Sequence, residues 1–406
     1  MEQDSRRPRL YHVWILPALL LVLLNQALVR AGDSSNAAGG TFVRETVERG
    51  IVILTAFPNV THAADRRLVQ MRFSRQLNSY VREMSYGKTS LSIDVTSQWH
   101  TMPNPVEQYR ISARNLEVDK SRVRRLIDDA LNVADGEVNF SEYSFAVVFL
   151  GAAMTDYGMI GLCGYPGMLG WSSQDVLTTR SGERIKKGVA IYCYQAHLGT
   201  LFHDIAHILG GVKDGRRMVP CLYDHDLQAT PGPLRETAVD AMVNMGFWDP
   251  MSCHYYKRAV APPGISSWTR MRLDWIDPGK IRVVTPGQKA EMLLGPLEDG
   301  SSQTLVIKIP VSQTAYYLIE NRQPIGFDKD LPAHGVLIMY ADDRIAECRQ
   351  GRAPVKLVDA NPSVPHLEGA AFDIGGKASF RDERNRISIQ LVEKTENSYR
   401  ILVERL

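Results

Sequence analysis

His203-Asp204-Ile205-Ala206-His207 lies within the stretch Thr200 to Leu209, where Leu201, Phe202, Ile205, Ala206, Ile208 and Leu209 cover most of one side of a helix. Thr200 can serve as its N-cap, and Gly210-Gly211 ends it. The two histidines fall four residues apart on the remaining stripe, so their imidazoles face the same way and can reach one ion. This is the spacing of the HExxH zinc motif, in which the carboxylate after the first histidine is the general base toward a water that the metal acidifies. Here that carboxylate is Asp204. Such a pair alone is weak evidence, since scattered histidines reach this spacing by accident in roughly one of every few chains, and the plain alternative is two satisfied histidines in a core or on a surface. Three neighbours favour the metal reading: the carboxylate between the histidines, the glycines that end the helix, and a further oxygen donor at Asp214.

A metal site needs a third ligand. In the extended motifs HExxHxxGxxH and HExxHxxGxxD, glycine turns the chain back so that the last residue returns to the metal. Lys213 occupies that register and Asp214 follows one residue later, so the second glycine, Gly211, restores the interval from turn to ligand. Asp214 is therefore the expected third ligand, with His225, Asp224 and Asp226 as alternatives. His197 precedes the helix and is read as a loop residue that can orient a ligand.

Upstream, strand Gly50 to Phe57, a helix from about Asp65 to Met84 and strand Ser90 to Val95 give a β, α, β order. A helix from Lys120 to Ala134, a buried strand Phe145 to Leu150, a Gly-rich loop Gly158 to Gly170 and a strand Gly188 to Tyr192 follow. Beyond Pro278 the pattern changes to short strands, including Gln303 to Ile309, Ala315 to Glu320, Gly335 to Tyr340, Ile387 to Glu393 and Tyr399 to Val403. The expected fold class is α+β, with a domain over residues 33–277 followed by a β-rich, sandwich-like domain over 278–406.

The 406 residues are 44% apolar, with 47 basic against 45 acidic side chains, which excludes a disordered chain. A formal net charge of +2 argues against a nucleic-acid partner, because no dense basic face is present. Residues 1–31 read as a secretory signal peptide: Arg6, Arg7 and Arg9 precede the apolar run Val13 to Leu24, and small residues follow at Ala31 and Gly32. The run is short for a membrane span, so a secreted or extracellular protein is expected, with a lumenal, signal-anchored one as the alternative. Two glycosylation sequons, Asn59-Val60-Thr61 and Asn139-Phe140-Ser141, fit that compartment. So would disulfides among the five cysteines, for which Cys163 with Cys193 and Cys221 with Cys253 are one pairing among several, leaving Cys348 unpaired.

Beyond the histidines, the chain resembles the immune inhibitor A family of secreted zinc metallopeptidases from about Gly50 to its C-terminus. Ser85-Tyr86-Gly87-Lys88 followed by Ser97-Gln98-Trp99-His100 is similar to that family's SYGK segment and the strand after it. Trp248-Asp249-Pro250-Met251-Ser252 is similar to its WDxMS turn, Arg272-Leu273-Asp274-Trp275-Ile276 to the segment closing its catalytic domain, and Tyr316-Tyr317-Leu318-Ile319-Glu320-Asn321-Arg322-Gln323 to its YYLIENRQ strand. Gly335-Val336-Leu337-Ile338 with Asp342 continues the likeness. The resemblance implies a metzincin-like catalytic domain, a Zn2+ cofactor, a peptide or protein substrate, and Met251 as the methionine packed beneath the metal. Tyr255, just past that turn, is a candidate hydrogen-bond donor to a developing oxyanion.

Two positions depart from the family pattern: Asp204 stands where it has glutamate, and Lys213 where it has aspartate. Aspartate is one methylene shorter, which sets its carboxylate on the order of 1 Å too far from the attacked water, a misplacement that can cost about a hundredfold. A slow zinc metalloendopeptidase is the expectation. The alternative is a pseudopeptidase of the same fold that binds protein or glycan.

Overall fold

The computed structural model describes residues 45–61, 64–111, 118–170, 177–227, 241–257 and 260–406. The expected signal peptide lies outside them. Among the described residues no helix is long and apolar enough to cross a membrane. The chain is a mixed α/β protein with several sheets, few helices and a β-rich C-terminal region.

The first sheet contains β1 (Thr46–Ala56), β2 (Thr89–Val95), β3 (His100–Thr101), β4 (Phe145–Leu150), β5 (Gly161–Tyr165) and β6 (Gly188–Cys193). Its order is β2-β1-β4-β6-β5, with β3 also pairing with β1, and every pairing is parallel except that of β5 with β6. The central strands β4 and β6 are buried along their whole length, as expected for parallel strands covered on both faces. Alternate side chains feed two cores. Val147, Phe149, Ala190 and Tyr192 pack against a long helix and the histidine helix, while Ala146, Val148, Val189 and Ile191 pack against α4 (Lys120–Ala134) on the other face.

The long helix consists of α1 (Arg66–Met71), a π-helical stretch Arg72–Leu77 and α2 (Asn78–Met84). It is capped by Asp65, whose carboxylate accepts from the Arg67 and Leu68 amides. Short helices α3 (Val106–Tyr109) and α5 (Met154–Tyr157) lie in the connections, and α6 (Leu198–Gly210) carries the histidines. A small hairpin of β7 (Val212–Lys213) and β8 (Arg216–Arg217) follows, and α7 (Ser267–Arg272) leads into the β-rich region. The Gly-rich segment read as a loop contains strand β5, whose glycines hide its apolar alternation.

The C-terminal region has a five-stranded sheet in the order β14-β13-β12-β11-β9 and a four-stranded sheet in the order β10-β17-β16-β15. Their strands are β9 (Ile281–Val283), β10 (Gln288–Leu294), β11 (Val306–Pro310), β12 (Ala315–Arg322), β13 (Gly335–Asp342), β14 (Val355–Leu357), β15 (Ser379–Asp382), β16 (Ile387–Thr395) and β17 (Ser398–Arg405). Ile307, Ile309, Ile319, Ile338, Ile389 and Ile401 fill the space between the sheets. Val43–Leu406 is one compact unit, and Trp275, Leu305, Leu318 and Met339 share the core that contains α6.

Candidate metal centre

Helix α6 begins one turn earlier than the sequence suggests. His197 is its N-cap: Nδ1 accepts from the Gly199 amide at 3.2 Å, and Nε2–H donates to the Val260 carbonyl at 3.2 Å. Thr200, the expected cap, instead pairs its hydroxyl with His254 Nδ1 at 3.1 Å. A Cβ on Gly199 would lie 1.7 Å from the His254 carbonyl oxygen, so only glycine lets the segment after Met251 rest on the helix backbone. Gly211, at φ 62°, ends the helix as expected.

His203 and His207 are buried, with ring centroids 4.7 Å apart. Nδ1 of His203 lies 2.9 Å from the Pro250 carbonyl, and Nδ1 of His207 lies 2.6 Å from the Val219 carbonyl. A carbonyl only accepts, so each Nδ1 carries a proton and each Nε2 is the atom turned toward Cys221. Both Nε2 atoms are 3.5 Å from Cys221 Sγ. These three residues are a cluster able to hold a metal ion, with all donor atoms within 4.8 Å of one another.

The donor set fits zinc. Zinc–sulfur and zinc–imidazole bonds of about 2.3 and 2.0 Å at tetrahedral angles put sulfur and nitrogen about 3.5 Å apart. Backbone carbonyls fixing the outer nitrogens of both rings are the usual means of orienting ligating histidines. Burial pushes the Cys221 thiol up, but the His207 and His203 imidazoles outweigh it and hold the thiol well below its ordinary range, toward the thiolate that binds metal. For His203, burial is outweighed by Cys221, which raises its pKa, whereas burial dominates at His207 and lowers it.

Two loops hold these ligands. After the β7–β8 hairpin the chain crosses the end of α6, offers the Val219 carbonyl to His207 and, two residues on, Cys221 itself. The turn at Met251 supplies the other support: the Leu222 amide donates to the Met251 carbonyl at 2.8 Å, and Asp249 accepts from the Met251 amide at 2.8 Å. Met251 is fully buried directly after the carbonyl that holds His203.

Asp204 is buried, and its carboxylate accepts from the Cys163 amide on β5. Burial pushes its pKa up to about 7, against the pull of His203. Gly161 allows the strand this close, since a Cβ there would lie 3.2 Å from Asp204 Oδ2 and 2.8 Å from the Tyr192 ring.

The structure places the other expected site residues elsewhere. Asp214 sits exposed at φ 51° in the turn between β7 and β8, outside the cluster, because the hairpin projects Lys213 and Asp214 into solvent before the chain returns. Asp224 accepts from the Asp226 and Gly351 amides at 2.9 and 2.6 Å, and Asp226 pairs with Arg349 at 2.8 Å, so both brace a loop. His225 lies beside Cys221 and 3.5 Å from Glu347; burial lowers its pKa, but hydrogen bonds with Cys221 and Glu347 outweigh this and raise it to about 9. Tyr255 packs its ring 5.3 Å from that of His197, while Tyr223, which sequence reasoning passed over, stacks 5.9 Å from the His203 ring.

All five cysteines are free, which corrects the disulfide expectation. Gly161 faces Tyr192 and Cys163 faces Ala190, so Cys163 and Cys193 are offset in register, and they point into different cores on opposite faces of the sheet. Cys253 donates its thiol to the Tyr255 carbonyl at 3.3 Å. Sequence reasoning assigned Cys221 to a disulfide and so missed it as a metal-ligand candidate, although a cysteine 14 residues beyond His207 was visible. Both sequon asparagines, Asn59 and Asn139, are exposed. No protein-family model matches this sequence, and no curated protein matches it.

Proposed function

We propose that the chain is a secreted zinc metalloendopeptidase of metzincin-like architecture, similar to the immune inhibitor A peptidases. The observation that carries this reading is the convergence of the His203 and His207 Nε2 atoms on Cys221 Sγ at 3.5 Å, with a buried carboxylate between the histidines. Among the described residues three donors converge, the number of protein ligands that catalytic zinc sites use, against four in structural sites. A Zn2+ held there would supply Lewis acidity toward water and a peptide carbonyl. His203, His207 and Cys221 would hold it, and Cys221 would take the place expected of Asp214. Asp204, buried between the two histidines in sequence, is the residue placed to act as general base: its carboxylate takes the proton of the attacking water and returns it to the leaving amine nitrogen.

The anchor from Cys163 and the missing methylene slow that transfer. A rate about a hundredfold below that of a glutamate in the same place is expected. The test is cleavage of an unstructured peptide library by wild type, Asp204→Glu and His207→Ala. Chelator-sensitive cleavage by wild type that is lost in His207→Ala supports an aspartate base, and absence of cleavage in all three contradicts the peptidase.

A second reading, a pseudopeptidase that binds protein or glycan around a structural metal, is favoured by one observation. All three donor residues and Asp204 are no more than 5% exposed, and the Asp204 carboxylate is already engaged by the Cys163 amide. Cleavage that appears only in Asp204→Glu would select it.

A further inference from the structure

A shallow groove, open to solvent, lies beside the N-terminus of α6 and apart from the metal cluster. Arg72, Arg75, Gln76 and Ser79 of the long helix line one wall. Arg72, Arg75 and Gln76 belong to the π-helical stretch Arg72–Leu77, and π-helical segments inside α-helices are frequent at functional sites. Gln195, Leu198 and Phe327 close the other side, and among the described residues no acidic side chain lines the groove.

Neither guanidinium meets a carboxylate among the described residues. Arg72 is half-buried and donates from Nη1 to the Tyr194 carbonyl at 2.8 Å, which leaves its other N–H groups available, and Arg75 is exposed. Both cations line the same groove, and an anion bound between them would gain charge-assisted hydrogen bonds. Amide and apolar side chains beside them suit a peptide better than a bare ion: the amides can pair with its backbone, and Leu198 and Phe327 with its side chains.

The groove also has a defined relation to the metal cluster. His197, on its rim, precedes His203 by six residues, about 9 Å along the helix. Three residues of extended peptide span that distance at about 3.3 Å each. The segment His254 to Tyr255 bridges the two, with Tyr255 against His197 and the His254 ring 4.6 Å from that of His203.

We infer that this groove binds the carboxylate of an acidic peptide segment between Arg72 and Arg75. The inference does not require cleavage, so it stands or falls separately from the peptidase reading.

The test is fluorescence anisotropy with chelator present, using labelled short unstructured peptides that carry a central glutamate or, at the same position, glutamine. Wild type is expected to bind the glutamate peptide about tenfold tighter, with the difference shrinking as salt is added. Arg75→Glu, at an exposed position that leaves the fold intact, is expected to abolish the preference, and Arg75→Gln to reduce it. Equal affinity of wild type for the two peptides overturns the inference, as does a preference that survives Arg75→Glu. Inorganic phosphate binding as tightly as the glutamate peptide also overturns it, because the site would then be one for a free anion.

Discussion

His203 donates its Nδ1 proton to the Pro250 carbonyl at 2.9 Å, and this bond ties the first imidazole to the turn in which Met251 is fully buried. The turn is therefore both core and ligand support. Met251→Ala is expected to cost about 2–5 kcal/mol in urea denaturation through the cavity it leaves. It should also weaken zinc affinity by roughly 10- to 100-fold as the carbonyl loses its position. Met251→Leu, nearly equal in volume, should cost less than about 1.5 kcal/mol and keep the affinity.

Asp204 lies between the two histidines in sequence, and the proposed function gives it a part separable from theirs. Asp204→Asn preserves shape and should keep zinc. Cleavage of a peptide substrate should fall at least about a hundredfold, the range that a general base contributes. Metal content and rate measured on the same preparation check both halves.

Arg322 joins the β-rich region to the rest of the chain. Fully buried, it donates to Asp328 at 2.9 and 2.8 Å, to Glu298 and Glu320 at 3.2 Å, and to the Trp248 and Gly264 carbonyls at 3.0 and 2.9 Å. Removing it leaves several buried carboxylates without their cation. Arg322→Ala should destabilise the protein by about 3–5 kcal/mol in chemical denaturation.

Asp342 gives a pH dependence of known sign. Hydrogen bonds from Arg344 hold its carboxyl down at about 2, below its ordinary value near 3.8. A depressed carboxyl stabilises the fold above its unfolded pKa and loses that contribution as pH falls through the folded value. The loss should therefore lie between about pH 4 and pH 2. Arg344 is 72% exposed, so solvent screening keeps the contribution below about 1 kcal/mol. Denaturation midpoints of wild type and Asp342→Asn should converge across that window.

Strong local patterns were readable without coordinates. The helix Lys120–Ala134 and the strand Phe145–Leu150 have the bounds their apolar periodicity suggests, since both are long or continuous enough for one period to dominate. Strand β5 was not legible, because glycines needed for close approach to Asp204 and to the neighbouring strand erase the alternation. At α6 the sequence favoured Thr200 as cap by residue type, yet tertiary contacts assign Thr200 to His254 and leave capping to His197.

The metal cluster divides in the same way. His203 and His207 were evident because one helix fixes their spacing. The third donor depends on where a hairpin returns the chain, and motif spacing pointed to Asp214, which the structure puts in an exposed turn. Cys221 is placed by the long-range contacts of its chain neighbours, Val219 with His207, Leu222 with Met251 and His225 with Cys348, none of which a linear spacing encodes.

Zinc stoichiometry and affinity of the purified protein, measured by metal analysis and chelator competition for wild type, His207→Ala, Cys221→Ser and Asp214→Ala, test the three-donor centre most directly. One zinc per chain is expected in wild type and in Asp214→Ala, and its loss in His207→Ala and Cys221→Ser. Zinc that survives Cys221→Ser at wild-type affinity but is lost in Asp214→Ala would contradict the account.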